Sequence, residues 1–221
     1  MEIELSPKID SEKRIVNRLG FYSSLIAFVA VAGYCIAQLL QVAGTIKFPL
    51  DAILIYGFSL GIAAPYVIAV IALHHLLPME KRIWSHLALV FAIMYAVYVN
   101  LNYVVQLATV IPASLRGSLS EISILDQTPH SLFWDIDALG YICMGIATFV
   151  ALPALGRTGF ERWVRLAFLA HALVTPLITI VYFYPAYSQQ LLFLGFPWAI
   201  TAPLFMLLLA IHLRQLRPMP A

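Results

Sequence analysis

The chain has 221 residues, of which 62% are hydrophobic and 11% charged, with a formal net charge of +2. Soluble domains carry roughly 25% charged residues, so a water-facing globule is excluded and lipid must cover much of the surface. The basic residues are scattered and form no tract, so nucleic acid is not an expected partner.

Charge spacing sets the elements. Uncharged runs separate Arg18 from Lys47 (28 residues), Asp51 from Glu80 (28), Arg82 from Arg116 (33), Asp137 from Arg157 (19) and Arg165 from Arg214 (48). A spanning helix needs about 20 apolar residues. The first four runs therefore hold one helix each, and the last holds two, divided at Tyr184-Pro185-Ala186-Tyr187-Ser188. The reading is an all-α, polytopic six-helix membrane bundle. Its spans lie near 20–43, 51–77, 84–111, 130–155, 163–184 and 189–213, behind a polar segment 1–19 and ahead of a tail 214–221. Short connections make successive helices antiparallel neighbours.

Lys8, Lys13, Arg14, Arg18, Lys81, Arg82, Arg157, Arg162, Arg165, Arg214 and Arg217 fall on one side of these spans, and only Lys47 and Arg116 on the other. The positive-inside rule then puts both ends in the cytoplasm of a cell membrane, most simply a bacterial inner membrane. Cys35 and Cys143 lie inside spans and read as small buried hydrophobes.

The connector 112–129 is the longest. Leu115, Leu119 and Ile122 recur at helical spacing, which predicts a short interfacial helix between spans 3 and 4. Thr128-Pro129 reads as the N-cap and first residue of span 4. Pro65, Pro176, Pro197 and Pro203 interrupt spans, and each frees a backbone carbonyl that needs another partner.

Polar side chains inside spans turn toward protein. Tyr34, Gln38 and Gln41 share one helix face, and so do Tyr95, Tyr98, Asn102 and Gln106. Asp137 with Tyr141, and His171 with Thr175, Thr179 and Tyr182, form two more stripes. Four stripes on four helices suggest one interior site in the outer half of the bilayer. Asp135 and Asp137 point about 200° apart, and Asp137 is expected inward because Tyr141 and Met144 continue its face. The expected ligand-binding set is Gln38, Gln41, Asn102, Gln106, Asp137 and Tyr141. Asp137, Asp135 and His171 are the candidate acids or bases. No metal spacing, phosphate loop or nucleophile motif occurs, so no metal or cofactor is expected.

Pro129-His130-Ser131-Leu132-Phe133-Trp134, followed by Asp137, Leu139, Gly140 and Tyr141, resembles a segment of uncharacterised multi-pass bacterial membrane proteins. That resemblance implies no activity. A six-helix bundle with intramembrane carboxylates also invites comparison with sterol-isomerase-like and membrane terpene-cyclase families, whose motifs find no residue-by-residue match.

Three functions fit these features. The first is binding or transport of a small, mostly apolar molecule. The second is an accessory subunit whose polar stripes meet a partner or a second copy. The third is a lipid-phase isomerase or cyclase with Asp137 as acid. Membrane lipid is a partner in all three. Compartment reporters fused at Gly117 and Pro218 test the orientation. A cytoplasmic signal at Pro218 and an external one at Gly117 are expected, and a cytoplasmic signal at Gly117 reverses the assignment.

Overall fold

The computed structural model describes residues 6–215, with side chains from Ser11 onward; the start of the segment 1–19 and most of the tail 214–221 lie outside the described residues. Seven α-helices run in chain order: α1 (Ser6–Val42), α2 (Leu50–Leu76), α3 (Arg82–Val105), α4 (Ile111–Leu115), α5 (Leu132–Val150), α6 (Glu161–Phe183) and α7 (Phe196–Gln215). No strand occurs among the described residues. Helical turns fuse α3 and α4 into one span, Met79–Leu115, and six helical stretches are long and apolar enough to cross a membrane.

The spans form a ring. Each packs on its neighbour in sequence, and α7 closes back onto α1. Tyr66, Phe168, Phe205, Met144, Met206 and Leu209 fill its axis. The outward faces carry Val29, Ile36, Val97, Leu173 and Ile200, all more than half exposed. This inversion of a soluble protein's surface is what hydrocarbon allows, because apolar side chains lose nothing by facing it.

Packing contacts between helices in lipid come from close approach rather than from hydrophobic collapse. The most enclosed span is that of α5, and its sequence supplies the small residues that allow this. A Cβ on Gly140 would stand 2.6 Å from Val99 Cγ1 of α3. One on Gly145 would collide with the Thr175 hydroxyl of α6 and stand 2.8 Å from Thr175 Cβ.

Three local expectations change. First, the first span does not begin near residue 20: from Ser6 onward the polar segment and the span are one helix, α1, unbroken for 37 residues, about 55 Å at 1.5 Å per residue. Second, span 4 begins at Leu132, not at Pro129. His130 takes a φ of 65°, which breaks any helix there, and Ser131 is the cap, its Oγ accepting from the Trp134 N–H at 3.2 Å. Third, Pro197 is the second residue of α7, where its missing N–H costs nothing.

The short helix between spans 3 and 4 is present as two 3₁₀ turns within Leu119–Leu125, kinked at Ile122 (φ −127°, ψ 24°), after Gly117 (φ 74°) ends the span. Leu119, Ile122 and Leu125, before, at and after that kink, are half-buried, and Leu115 stays 60% exposed on α4.

Pro203 leaves the Ala199 carbonyl without its helical donor, and the Cys35 thiol of α1 reaches it at 3.5 Å. A sequence rule about prolines thus explains a contact between the first and last spans.

Gly145→Ala is expected to destabilise the bundle by about 1–3 kcal/mol, because overpacking at the α5–α6 contact has no relief at Thr175 Cβ. Thermal unfolding in detergent checks this. An unchanged midpoint contradicts the close approach.

Candidate functional site

Asp137 lies near the connector-side end of α5 and is 3% exposed. Three elements converge on its carboxyl. Asn102 Nδ2 of α3 donates to Oδ1 at 3.2 Å. Gln127 Nε2 of the connector donates to Oδ2 at 3.1 Å. The Tyr182 hydroxyl of α6 donates to Oδ2 at 2.6 Å. All three donors are neutral, and among the described residues no cation pairs with this carboxyl. Two carboxamides and a phenol answer a group that would otherwise carry a large desolvation cost.

The cluster also ties down the connector. Gln106 Nε2 donates to the Leu125 carbonyl at 2.8 Å, and its Oε1 accepts from the Gln127 N–H at 3.3 Å. Asn102 Nδ2 reaches Gln127 Oε1 at 2.9 Å. Gln106 opens a π-helical turn, Gln106–Val110. Such an added residue per turn re-aims side chains and often marks functional positions.

Aromatic rings wall the region. Trp134 packs on Tyr182 (4.5 Å between centroids), and its indole N–H satisfies the Tyr182 carbonyl near the α6 end at 3.2 Å. Tyr141 lies against both Tyr182 (6.0 Å) and Trp198 (5.1 Å), and its hydroxyl accepts from that of Tyr103 at 3.5 Å. Tyr34 meets Trp198 edge-on at 5.5 Å.

The expected site residues divide. Asn102, Gln106 and Asp137 are bonded within one network, with Tyr141 in its aromatic wall. Gln38 and Gln41 form a separate group: Gln38 Nε2 donates to Gln41 Oε1 at 3.0 Å, and Gln41 Nε2 to Asp51 Oδ2 at 2.8 Å. Their stripe reaches the connector end of α1 and meets the start of α2 instead. Asp135 is exposed. His171 is 2% exposed, and its Nδ1 lies 3.1 Å from Thr201 Oγ1 of α7, apart from the carboxyl network. On the opposite side, His74 bonds Ser85 at 2.9 Å and lies edge-on to His75 and His86. Among the described residues no three or more His, Cys, Asp or Glu are grouped to hold a metal ion.

Gln127 and Trp198 were not legible as site residues. A connector glutamine has no periodicity to mark its face, and a tryptophan near a span end reads as a belt anchor.

No protein-family model, curated protein or solved structure matches this chain.

Gln106→Leu removes an acceptor from the Gln127 N–H and a donor from the Leu125 carbonyl. Amide exchange across residues 119–127 is expected to accelerate about tenfold or more, since each lost hydrogen bond is worth about 1 kcal/mol. Asp135→Asn serves as the control and leaves exchange unchanged. Equal protection in Gln106→Leu and the unmodified chain contradicts the tether.

Proposed function

We propose that the protein is a cell-membrane binding protein that takes a small, mostly apolar molecule from the connector side and holds its polar part at Asp137. The observation that carries this reading is the shared bonding of one carboxyl by the bundle and by the connector. Gln127 is a neutral donor on a loop, so a neutral donor on a ligand replaces it at little net cost. The connector then acts as the cover of the site, and the aromatic wall supplies apolar contact with few moving parts.

Transport belongs to the same reading as a later step. Beyond the carboxyl, Tyr66, Tyr95, Phe168, Phe205 and Met144 fill the axis, so passage requires that layer to part. The inward burial of Asp137, Asn102 and Gln106 favours binding over docking of these polar stripes on a partner helix. Orientation with both ends cytoplasmic follows from the distribution of basic residues.

Native mass spectrometry of the purified protein tests the proposal. A non-covalent small-molecule adduct is expected on the unmodified chain, with at least a tenfold lower occupancy on folded Asp137→Leu. Identical spectra, or no adduct on either, contradict it.

A further inference from the structure

At the end of the bundle away from the connector, the last turn of α2 and the start of α3 gather three imidazoles and a guanidinium. His74 stands edge-on to His75 and to His86, with ring centroids 5.7 and 5.6 Å apart. Ser85, fully buried, holds this arrangement. Its single hydroxyl proton is donated to the Arg82 carbonyl at 3.0 Å, so its Oγ accepts from His74 Nδ1 at 2.9 Å. That bond survives protonation of the ring, because Nδ1 then carries its proton in both forms. Arg82 donates from Nε to the Leu77 carbonyl at 3.2 Å and from Nη1 to the Met79 sulfur, a weak acceptor, at 2.9 Å. His75 and His86 are exposed.

The charges acting on His74 are those of His75, His86 and Arg82, all of one sign once the rings are protonated. Lys81 adds a cation from the turn between the helices. Gly20 of α1 meets Ala72 of α2, so Arg14 and Arg18 of α1 reach the same end of the bundle. Across α3, the turn Leu152–Ala154 packs on it, and there Arg165 is held by the Leu152 and Leu155 carbonyls. Glu161 is engaged by His212. Glu12 and Glu80 are exposed, and neither forms an ion pair among the described residues. Cations gathered without an acid repel one another, and an anion relieves that repulsion. The surroundings say which anion. Ile83, Trp84 and Leu87 are exposed beside the cluster on α3, as apolar and belt residues are where a span leaves the bilayer. We propose that this cluster is a proton-linked site for the phosphate of an anionic phospholipid in the adjoining leaflet. Imidazolium and guanidinium N–H groups donate to the phosphate oxygens, while the acyl chains lie along the exposed face of α3. Imidazole takes its charge between about pH 5 and 8. Lipid binding therefore takes up protons, and by reciprocity it strengthens as pH falls. The site stands apart from Asp137 and does not depend on it.

Phosphatidylglycerol and phosphatidylcholine with identical acyl chains test it, titrated onto the full chain in detergent and read by native mass spectrometry near the two ends of the imidazole range, about pH 5.5 and about pH 8. Phosphatidylglycerol is expected to bind more tightly at both. Its advantage over phosphatidylcholine should grow about tenfold or more at the lower pH, since each charge gained beside an anionic lipid is worth about fivefold. His75→Gln combined with His86→Gln should abolish that gain; both side chains are at the surface, so the bundle keeps its packing. His130→Asn, a histidine on the connector side, should keep the gain in full. An advantage that does not change with pH overturns the proposal without any variant. So does a gain that survives the double substitution, or one that is lost in His130→Asn. Inorganic phosphate in about tenfold excess over the lipid is expected to leave the adducts in place. Displacement would assign the site to a free anion and overturn the lipid.

Discussion

A carboxyl placed in hydrocarbon has to be answered by protein, and the connector-side half of this bundle is organised around that requirement at Asp137. Among the described residues no cation pairs with it. Instead α3, α6 and the connector each supply one neutral donor. These bonds do more than offset a desolvation cost. They fix α3 and α6 relative to α5 and hold the connector against the end of the bundle.

The same accounting governs the backbone. Helix ends and prolines leave carbonyls that lipid cannot satisfy. The Tyr182 carbonyl is met by the Trp134 indole, and the Ala199 carbonyl by the Cys35 thiol. On the opposite side, the Arg165 guanidinium donates to the Leu152 and Leu155 carbonyls beyond α5. Each bond joins separate elements, so satisfying the backbone also sets their mutual positions. Trp198 Nε1 and the Tyr66 hydroxyl stand out against this pattern because nothing in the described chain answers them.

The spans were legible because hydropathy and charge spacing act over twenty residues at a time. Their ends shift by a few positions where local chemistry intervenes, as with His130 and Ser131 at the start of α5. Asn102, Gln106 and Asp137 were legible as stripes, since lipid leaves polar side chains only one direction in which to face. Gln38 and Gln41 obey the same rule, but a neighbour at Asp51 satisfies them first, and a stripe does not reveal its partner. Gln127 was invisible because it lies beyond the 3₁₀ turns, in irregular chain with no period by which to judge a face. The unpaired state of Trp198 depends on atoms from three helices, which no single segment encodes.

The most direct test of the account is a double-mutant cycle between Asp137→Leu and Tyr182→Phe, read by reversible unfolding in detergent. A shared buried hydrogen bond predicts a coupling of about 1–3 kcal/mol between the two substitutions. Simple additivity would mean that the carboxyl and the phenol do not meet inside the bundle, and the site built on Asp137 would not exist.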